Sequence, residues 1–276
     1  MNTRTERLRK RLFDTDPRIC PERCIYFTES MKETEGKPNA LRRSQAFYDV
    51  LSRMTVYVNA DELIVGNQAQ WPKASPIYPE YSTDWLEAEL NGSPFFPDKR
   101  PGDKFYYTQE DKDKILECVD YWKGKSLYEN LRKTLPEKIN QAWDANVIDD
   151  TWVSAAGLGN VIVDYKGVVD KGLSDVMRRI ENKLKRLDPR EPGNTRKRWF
   201  LEAALQGNQA VVMFSGRIAD CCKEQAEQEK DETRRRELLK LEDICRNVPL
   251  NPARTFHEAV QSIYMILLAV HLESNG

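Results

Sequence analysis

The sequence predicts a mainly α-helical protein with a few short strands. Most of the chain repeats apolar residues at the three- and four-residue spacing of helices. The segment 39–53, for example, would place on one helix face Ala40, Ala46, Phe47, Val50 and Leu51. Two short β-branched stretches, 55–58 and 62–65, are the candidate strands. The chain is 40% hydrophobic and 32% charged, which fits a helical protein with a substantial core.

Further helices are predicted in the first half of the chain, bounded by proline, glycine and capping residues. They cover residues 4–13, 21–35, 83–90, 108–122 and 126–143. Pro21 fits the first turn of its helix, where its missing N–H costs nothing. Thr108, followed by acidic residues, is a typical N-cap. Pro136 predicts a break inside the 126–143 segment.

The second half is predicted to form longer helices. They cover residues 165–187, 195–228, 231–245 and 256–272. Thr255 would cap the last of these, with Glu258 at the capping-box position. Because this helix is apolar almost all round, we expect it to be buried at the centre of the protein.

The segment 59–85 is dense in turn and loop signals. Residues 59–61 are typical of a turn, and Gly66-Asn67 should end the second strand. Three prolines then forbid a helix. The loop nevertheless carries four large aromatic residues, Trp71, Tyr78, Tyr81 and Trp85. We therefore expect it to lie buried across the helical body.

Charge and composition exclude several classes of protein. The sequence has 43 Lys and Arg against 44 Asp and Glu, which argues against a nucleic-acid or anionic-membrane binder. The basic runs 196–198 and 234–236 sit beside acids and are typical of solvated helix faces. The charged N-terminus predicts no signal peptide, and the apolar run 263–270 is too short to span a bilayer. Six cysteines without a secretory signal indicate a reducing cytosol.

Few residues form a pattern that predicts chemistry. His257 and His271 are fourteen residues apart on one helix, too far to share a metal, and we expect both to be structural. Cys20 and Cys24 could face each other on one helix side, but no further ligand lies nearby, so zinc is not expected. All six cysteines are predicted to be small core residues. Four carboxylates flank the flexible segment 155–160 and fit either acid–base chemistry or helix starts: Asp149, Asp150, Asp164 and Asp170.

Four stretches together resemble one enzyme family. They are PRIC at 17–20 with YFTES at 26–30, DELIVGN at 61–67 with PIYPEY at 76–81, GNVIVDY at 159–165, and PARTF at 252–256 with ESNG at 273–276. In these motifs the chain resembles the N-terminal part of the glycyl radical enzymes of the pyruvate formate-lyase superfamily. It is similar above all to the branch of diol dehydratases and choline trimethylamine-lyase.

The resemblance implies a fold and a mechanism. The family fold is a ten-stranded α/β barrel wrapped by helices, of which residues 1–276 would be an incomplete N-terminal portion and a single partial domain. The mechanism uses a glycyl radical that an iron–sulfur, S-adenosylmethionine-dependent activase installs, and a cysteine thiyl that takes hydrogen from substrate. The six cysteines here lie outside the family's catalytic-cysteine motif, and the radical glycine is expected beyond residue 276. We therefore expect a fragment, a truncated reading frame or one piece of a split enzyme. The chain alone is expected to be inactive and to bind no cofactor or metal. The enzyme is expected to belong to anaerobic metabolism.

The resemblance also implies part of a substrate pocket and no catalytic residue. Asn160 stands where dehydratases commonly have a histidine, and it could only hydrogen-bond substrate because an amide does not titrate near neutrality. Trp152 would wall the pocket or stack on a cationic amine, or else be an ordinary core aromatic. Ser274 and Asn275 would approach the pocket, or simply end their helix.

The expected function is radical C–O or C–N cleavage that eliminates water or an amine from a small substrate. The alternatives are a non-catalytic helical interaction protein, or part of a glycyl radical decarboxylase or formate acetyltransferase. Expected partners are a small-molecule substrate, a radical S-adenosylmethionine activase and a second copy in a homodimer. We expect a cytoplasmic location, with a bacterial microcompartment as the alternative.

Overall fold

The computed structural model describes residues 3–91, 104–148 and 161–274. These residues are mainly helical and contain two short strands, as the sequence predicts. The strands are β1 (Arg18–Cys20) and β2 (Ala74–Pro76). The helices are α1 (Thr3–Asp14), α2 (Glu22–Glu33), α3 (Asn39–Arg53), α4 (Asp84–Asn91), α5 (Gln109–Trp122), α6 (Leu127–Thr134), α7 (Glu137–Asp144), α8 (Tyr165–Arg186), α9 (Asn194–Gln228), α10 (Glu232–Asn247) and α11 (Phe256–Ser274).

The helix boundaries agree with the sequence where a capping residue or proline sets them. Thr108 accepts a hydrogen bond from the Asp111 backbone N–H, and the Asp111 carboxylate binds the Thr108 N–H in return. The Pro136 break divides the 126–143 segment into α6 and α7. A proline or a satisfied cap fixes the first turn of a helix locally, so neither feature depends on distant residues.

The core is built around α9, the longest helix. It packs against α3 on one side and α10 on another, with α8 and α11 also in contact. Its buried residues recur three or four positions apart, as in Phe214, Ile218 and Cys222, all at 0% exposure. Complete burial of one such large apolar side chain stabilises the fold by about 1.5–3 kcal/mol. From α3, Ala46, Phe47, Val50 and Leu51 enter the same core, whereas Ala40 stays exposed.

The two strands predicted at 55–58 and 62–65 are absent; the sequence interpretation was wrong there. The chain is irregular through this segment, and side chains rather than a partner strand satisfy its backbone. Gln261 of α11 accepts from the Val65 N–H at 2.9 Å and donates to the Val65 carbonyl at 2.7 Å. Asn67 accepts from Tyr57 N–H at 3.3 Å and donates to the Thr55 carbonyl at 2.7 Å. β-branched composition alone could not reveal these partners.

The strands that do form are three residues each. Arg18–Cys20 pairs in parallel with Ala74–Pro76. Strands this short contain too few residues to show an alternating pattern, and Pro76 argues against a strand locally. Cys20 therefore lies in β1, not on the same helix as Cys24, which corrects the predicted pairing.

The aromatic loop lies against the helical body for most of its length. Tyr81 is buried, and Trp71 and Tyr78 are partly buried. Trp85 is the exception: it lies in the first turn of α4 and is 44% exposed, so the prediction of burial was wrong for this residue. The next helical positions on the other face, Leu86 and Leu90, are the ones that pack inward.

Helix α8 changes direction at Gly172, where φ is +72°. A Cβ at this position would collide with the Leu250 carbonyl and the Asn251 backbone. The departure from helical geometry lets Leu173 N–H donate to the Pro249 carbonyl at 2.8 Å and Ser174 N–H to the Leu250 carbonyl at 2.9 Å. Glycine is required because a side chain fits neither the backbone angle nor the space.

Helix α11 is buried on most but not all faces. Met265, Leu268 and Leu272 are at most 5% exposed, whereas Phe256 is 86% exposed. Thr255 caps the helix, accepting from Glu258 N–H at 3.2 Å. The Glu258 carboxylate does not complete the capping box with Thr255 but binds the Arg254 N–H and guanidinium. Across the described ranges, no helix is both long enough and apolar enough to cross a membrane.

Candidate functional site

A cleft of about 450 Å³ lies where α3, α8, α9 and α11 meet, and we call it the α8–α11 cleft. Its apolar walls include Phe47, Val163, Val168, Val211, Ile266 and Ala269. Its polar or charged residues include Asp164, Lys171, Arg179, Asn208, Glu273 and Ser274. A mostly apolar concave surface with a few polar groups is the usual form of a small-molecule site.

Of the four residues predicted to bind substrate, Ser274 lies in the wall of this cleft. It ends α11, is 7% exposed, and its Oγ donates to the Val270 carbonyl at 3.4 Å. Asn160, Trp152 and Asn275 lie outside the described residues. Their chain neighbours are informative, because Val161 lines the cleft directly after Asn160 and Ser274 lines it directly before Asn275.

The charged residues of the cleft come mainly from α8. Asp164 caps this helix, and its carboxylate accepts from Gly167 N–H at 2.9 Å. Of the two roles predicted for Asp164, a helix start or acid–base chemistry, the structure thus supports the helix start. Arg179 pairs through Nε with Asp175 at 3.0 Å. Lys171 and Arg179 were missed by sequence reasoning, because charged residues on an amphipathic helix look the same whether they face solvent or a cleft.

The end of α11 is held by a buried arginine from α2. Arg23 Nε donates to the Leu272 carbonyl at 2.7 Å, and Arg23 Nη2 donates to the Glu273 carbonyl at 3.2 Å. The same guanidinium forms a bidentate pair with Glu80, at 2.6 and 3.2 Å, and donates to the Ile77 carbonyl at 3.3 Å. All five N–H donors of the guanidinium therefore have acceptors.

The Arg23–Glu80 pair is almost fully removed from water, with side chains 2% and 5% exposed. Burial disfavours the charged arginine, but the Glu80 carboxylate outweighs it and raises the pKa of Arg23 above its ordinary value. The guanidinium also stacks over the Tyr78 ring, 3.8 Å from its centroid. Lysine could reproduce neither the bidentate hydrogen bonds of the planar guanidinium nor its stacking on the ring.

A second arginine, Arg43 of α3, completes the attachment of this helix end. Its Nη2 donates to the Glu273 carbonyl at 2.9 Å and to the Tyr81 hydroxyl oxygen at 2.8 Å. Its Nε forms an ion pair with the Glu273 carboxylate. Tyr78 adds a hydrogen bond from its hydroxyl to the His271 carbonyl at 2.5 Å. The last three carbonyls before Ser274 thus all have donors from the N-terminal part of the chain.

In the described residues, the cysteine and histidine side chains lie outside the lining of the α8–α11 cleft. All six cysteines are free, five are buried, and none lines the α8–α11 cleft. Burial raises the pKa of the Cys20 thiol to about 11 and of the Cys222 thiol to about 12. His257 Nε2 lies 2.5 Å from the Leu63 carbonyl. Within the described ranges, no group of three or more His, Cys, Asp or Glu side chains could hold a metal.

Comparison with known proteins extends these observations. A sequence model of the pyruvate formate lyase-like family matches residues 1–276. The isethionate sulfite-lyase of Nitratidesulfovibrio vulgaris is 36% identical over 258 residues, which are 90% of this chain and 31% of that protein.

Two solved structures share the fold closely. One, from work on 1,2-propanediol dehydration in Roseburia inulinivorans, matches with a TM-score of 0.95 and 33% identity, over 100% of this chain and 32% of that one. The other is the glycerol-bound B12-independent glycerol dehydratase of Clostridium butyricum, with a TM-score of 0.95 and 31% identity, over 100% of this chain and 35% of that one.

The chain spans about a third of the length of the relatives it matches. Its homologues are dehydratases and lyases of the glycyl radical family, which confirms the resemblance drawn from the sequence motifs. The helical fold is likewise that of a portion of the glycyl radical enzymes. The chain belongs to the pyruvate formate lyase-like family.

Proposed function

We propose that this chain supplies one part of the substrate pocket of a glycyl radical lyase. The enzyme would eliminate water or an amine from a small substrate by radical C–O or C–N cleavage. The observation that carries the proposal is the α8–α11 cleft, which is lined by Val161 and Ser274. In sequence, these two residues are the immediate neighbours of the predicted binding residues Asn160 and Asn275. The similarity to structures of 1,2-propanediol dehydration and of a glycerol dehydratase supports the elimination of water.

In this proposal the residues of the chain bind and orient substrate. The Ser274 hydroxyl and the amides of Asn160 and Asn275 would hydrogen-bond substrate oxygen or nitrogen atoms, since each can both donate and accept. Trp152 would form an apolar or cation-binding wall. The apolar residues Val168 and Ile266 would exclude water from the substrate carbon skeleton.

The radical chemistry would come from elsewhere in the holoenzyme. A glycyl radical, installed by a radical S-adenosylmethionine activase, supplies hydrogen-atom abstraction in this family. The six cysteines of this chain do not fit the thiyl role, because none is among the described residues that line the cleft. We propose that the reacting cysteine and the radical glycine lie on polypeptide outside these 276 residues, that the chain alone is inactive, and that the holoenzyme is a homodimer.

An anaerobic turnover assay tests the proposal. The native protein from its source cells and the 276-residue chain are each incubated with the activase, S-adenosylmethionine, a reductant and a panel of diols, amino alcohols and hydroxysulfonates. We expect product from the native protein and none from the chain alone. Turnover by the chain alone would contradict the division of roles. A native protein that acquires no radical under these conditions, as shown by electron paramagnetic resonance, would favour the non-catalytic alternative.

A further inference from the structure

One wall of the α8–α11 cleft, the end of α11, is held in position by residues that do not line the cleft. Ser274 is the last residue of α11. The last carbonyls of a helix have no partner within the helix and leave the final turn free to fray unless other groups bind them. The position of Ser274 therefore depends on what binds those carbonyls.

Three side chains from distant segments bind them. Tyr78 donates to the His271 carbonyl, Arg23 to the Leu272 carbonyl, and Arg23 with Arg43 to the Glu273 carbonyl. Two of the three donors are cationic, which also complements the negative end of the helix dipole. The cleft wall is thus attached to α2, α3 and the loop before α4 through named hydrogen bonds.

Arg43 links this attachment directly to the cleft. Its guanidinium pairs with the Glu273 carboxylate, and Glu273 is itself a lining residue next to Ser274. Burial opposes the charge on Arg43, but Glu273 raises the pKa of Arg43 above its ordinary value. Arg43 therefore stays charged across the physiological range.

We infer that Arg23 and Arg43 are positioning residues that fix the last turn of α11 and so set where Ser274 stands in the substrate cleft. The claim that the cleft binds substrate rests on the proposed function. The claim that the two arginines fix the last turn of α11 does not. Neither arginine lines the α8–α11 cleft among the described residues, so both act through the helix end and not by touching substrate.

The test uses Arg43, because its ion pair is half-exposed (38% for each side chain) and its loss should leave the protein folded. Arg53 of the same helix provides the matched control: it pairs with Glu29 at 2.6 Å, with 44% and 46% exposure. We compare R43Q, R43K and R53Q by hydrogen–deuterium exchange of the native protein. We expect at least tenfold faster exchange of the amides at 271–274 in R43Q, partial rescue in R43K, and no change in R53Q. Equal exchange there in R43Q and R53Q would overturn the inference.

A kinetic readout separates positioning from simple stability. In the activated native enzyme, R43Q should raise KM severalfold more than it lowers kcat, and R43K should recover part of the loss. Faster exchange with an unchanged KM would overturn the role in substrate placement. If the wild-type native protein turns over no substrate, the proposed function fails, while the exchange comparison still decides whether the arginines hold the helix end.

Discussion

Arg23 and Leu272 are 249 residues apart in sequence, yet the Nε of the first donates to the carbonyl of the second at 2.7 Å. This contact joins the first core helix to the end of the last one. Around it, Glu80 neutralises the guanidinium and Tyr78 stacks on it. The end of α11, which forms one wall of the cleft proposed to bind substrate, is thus held by a cluster of side chains that do not line the cleft.

Removing the arginine from this cluster should destabilise the chain strongly. In R23M the Glu80 carboxylate stays buried at 5% exposure without its partner. Breaking a buried ion pair from one side typically costs about 3–5 kcal/mol. Urea denaturation should show a loss of this size. The control is R53M, whose pair with Glu29 is exposed and should contribute less than about 1 kcal/mol. Equal losses in the two variants would mean that burial of the Arg23 pair has no energetic consequence.

Replacing Gly172 with a residue that has a side chain should destabilise the fold. G172A would force alanine to φ +72° and press its Cβ against the Leu250 carbonyl. A backbone at φ +72° and ψ +166° is essentially restricted to glycine and costs another residue about 1–3 kcal/mol, and the steric overlap adds about 1–3 kcal/mol. G207A is the control, because Gly207 lies inside α9 with open space around it. There alanine should stabilise by about 0.5–1 kcal/mol. Thermal melts of the two variants should therefore shift in opposite directions, and parallel shifts would contradict this account.

The irregular segment around Val65 should depend on Gln261 for its backbone hydrogen bonds. In Q261A the Val65 N–H and carbonyl lose both side-chain partners while remaining buried. Each buried group left unsatisfied costs about 1–3 kcal/mol. Hydrogen exchange at residues 63–67 should accelerate in Q261A. It should stay unchanged in Q109A, which removes an exposed contact to Asp113. Unchanged protection in Q261A would show that something else holds this segment.

Glu258 should contribute to the acid sensitivity of the fold. Burial favours its neutral form, but Arg254 outweighs this and holds the pKa of Glu258 below its ordinary 4.5. A carboxylate with a lowered folded-state pKa stabilises the fold above pH 4.5, and this contribution is lost as the pH falls through the folded-state value. The free energy of unfolding should therefore fall less steeply below pH 4.5 in E258Q than in the wild type. Superimposable slopes would contradict the assignment.

The thiols should differ sharply in reactivity. Cys221 is half-exposed, whereas Cys20 is 1% exposed and burial raises its pKa to about 11. At pH 8 only roughly one Cys20 thiol in a thousand would be ionised. Iodoacetamide should modify Cys221 first in the native chain, as peptide mass spectrometry can follow. Labelling of Cys20 at the same rate would show that β1 opens readily.

The sequence allowed prediction of features that depend on neighbouring residues. The α3 boundaries at Asn39 and Arg53, the Thr108 N-cap and the Pro136 break were all correct, because each depends on residues within one or two turns. The strands at 55–58 and 62–65 were wrong because their backbone partners are side chains up to 196 residues away. Local propensity carries no information about such partners.

The site was predictable only in part for the same reason. Motif resemblance placed Ser274 near a pocket, and the structure places it in the cleft wall. It did not identify Glu273, Lys171 or Arg179, which are ordinary charged helix residues until the fold brings them together. Nor did it identify Arg23, whose role depends on carbonyls at the other end of the chain.

The most direct test of the central claim is substrate turnover by the native protein, isolated anaerobically and activated, with S274A beside the wild type. S262A is the control, because Ser262 is buried in the same helix away from the α8–α11 cleft. The account predicts dehydration or deamination of a small substrate, with KM raised severalfold in S274A and little changed in S262A. Turnover that is equally insensitive to both substitutions would contradict the claim that the cleft at the end of α11 binds substrate.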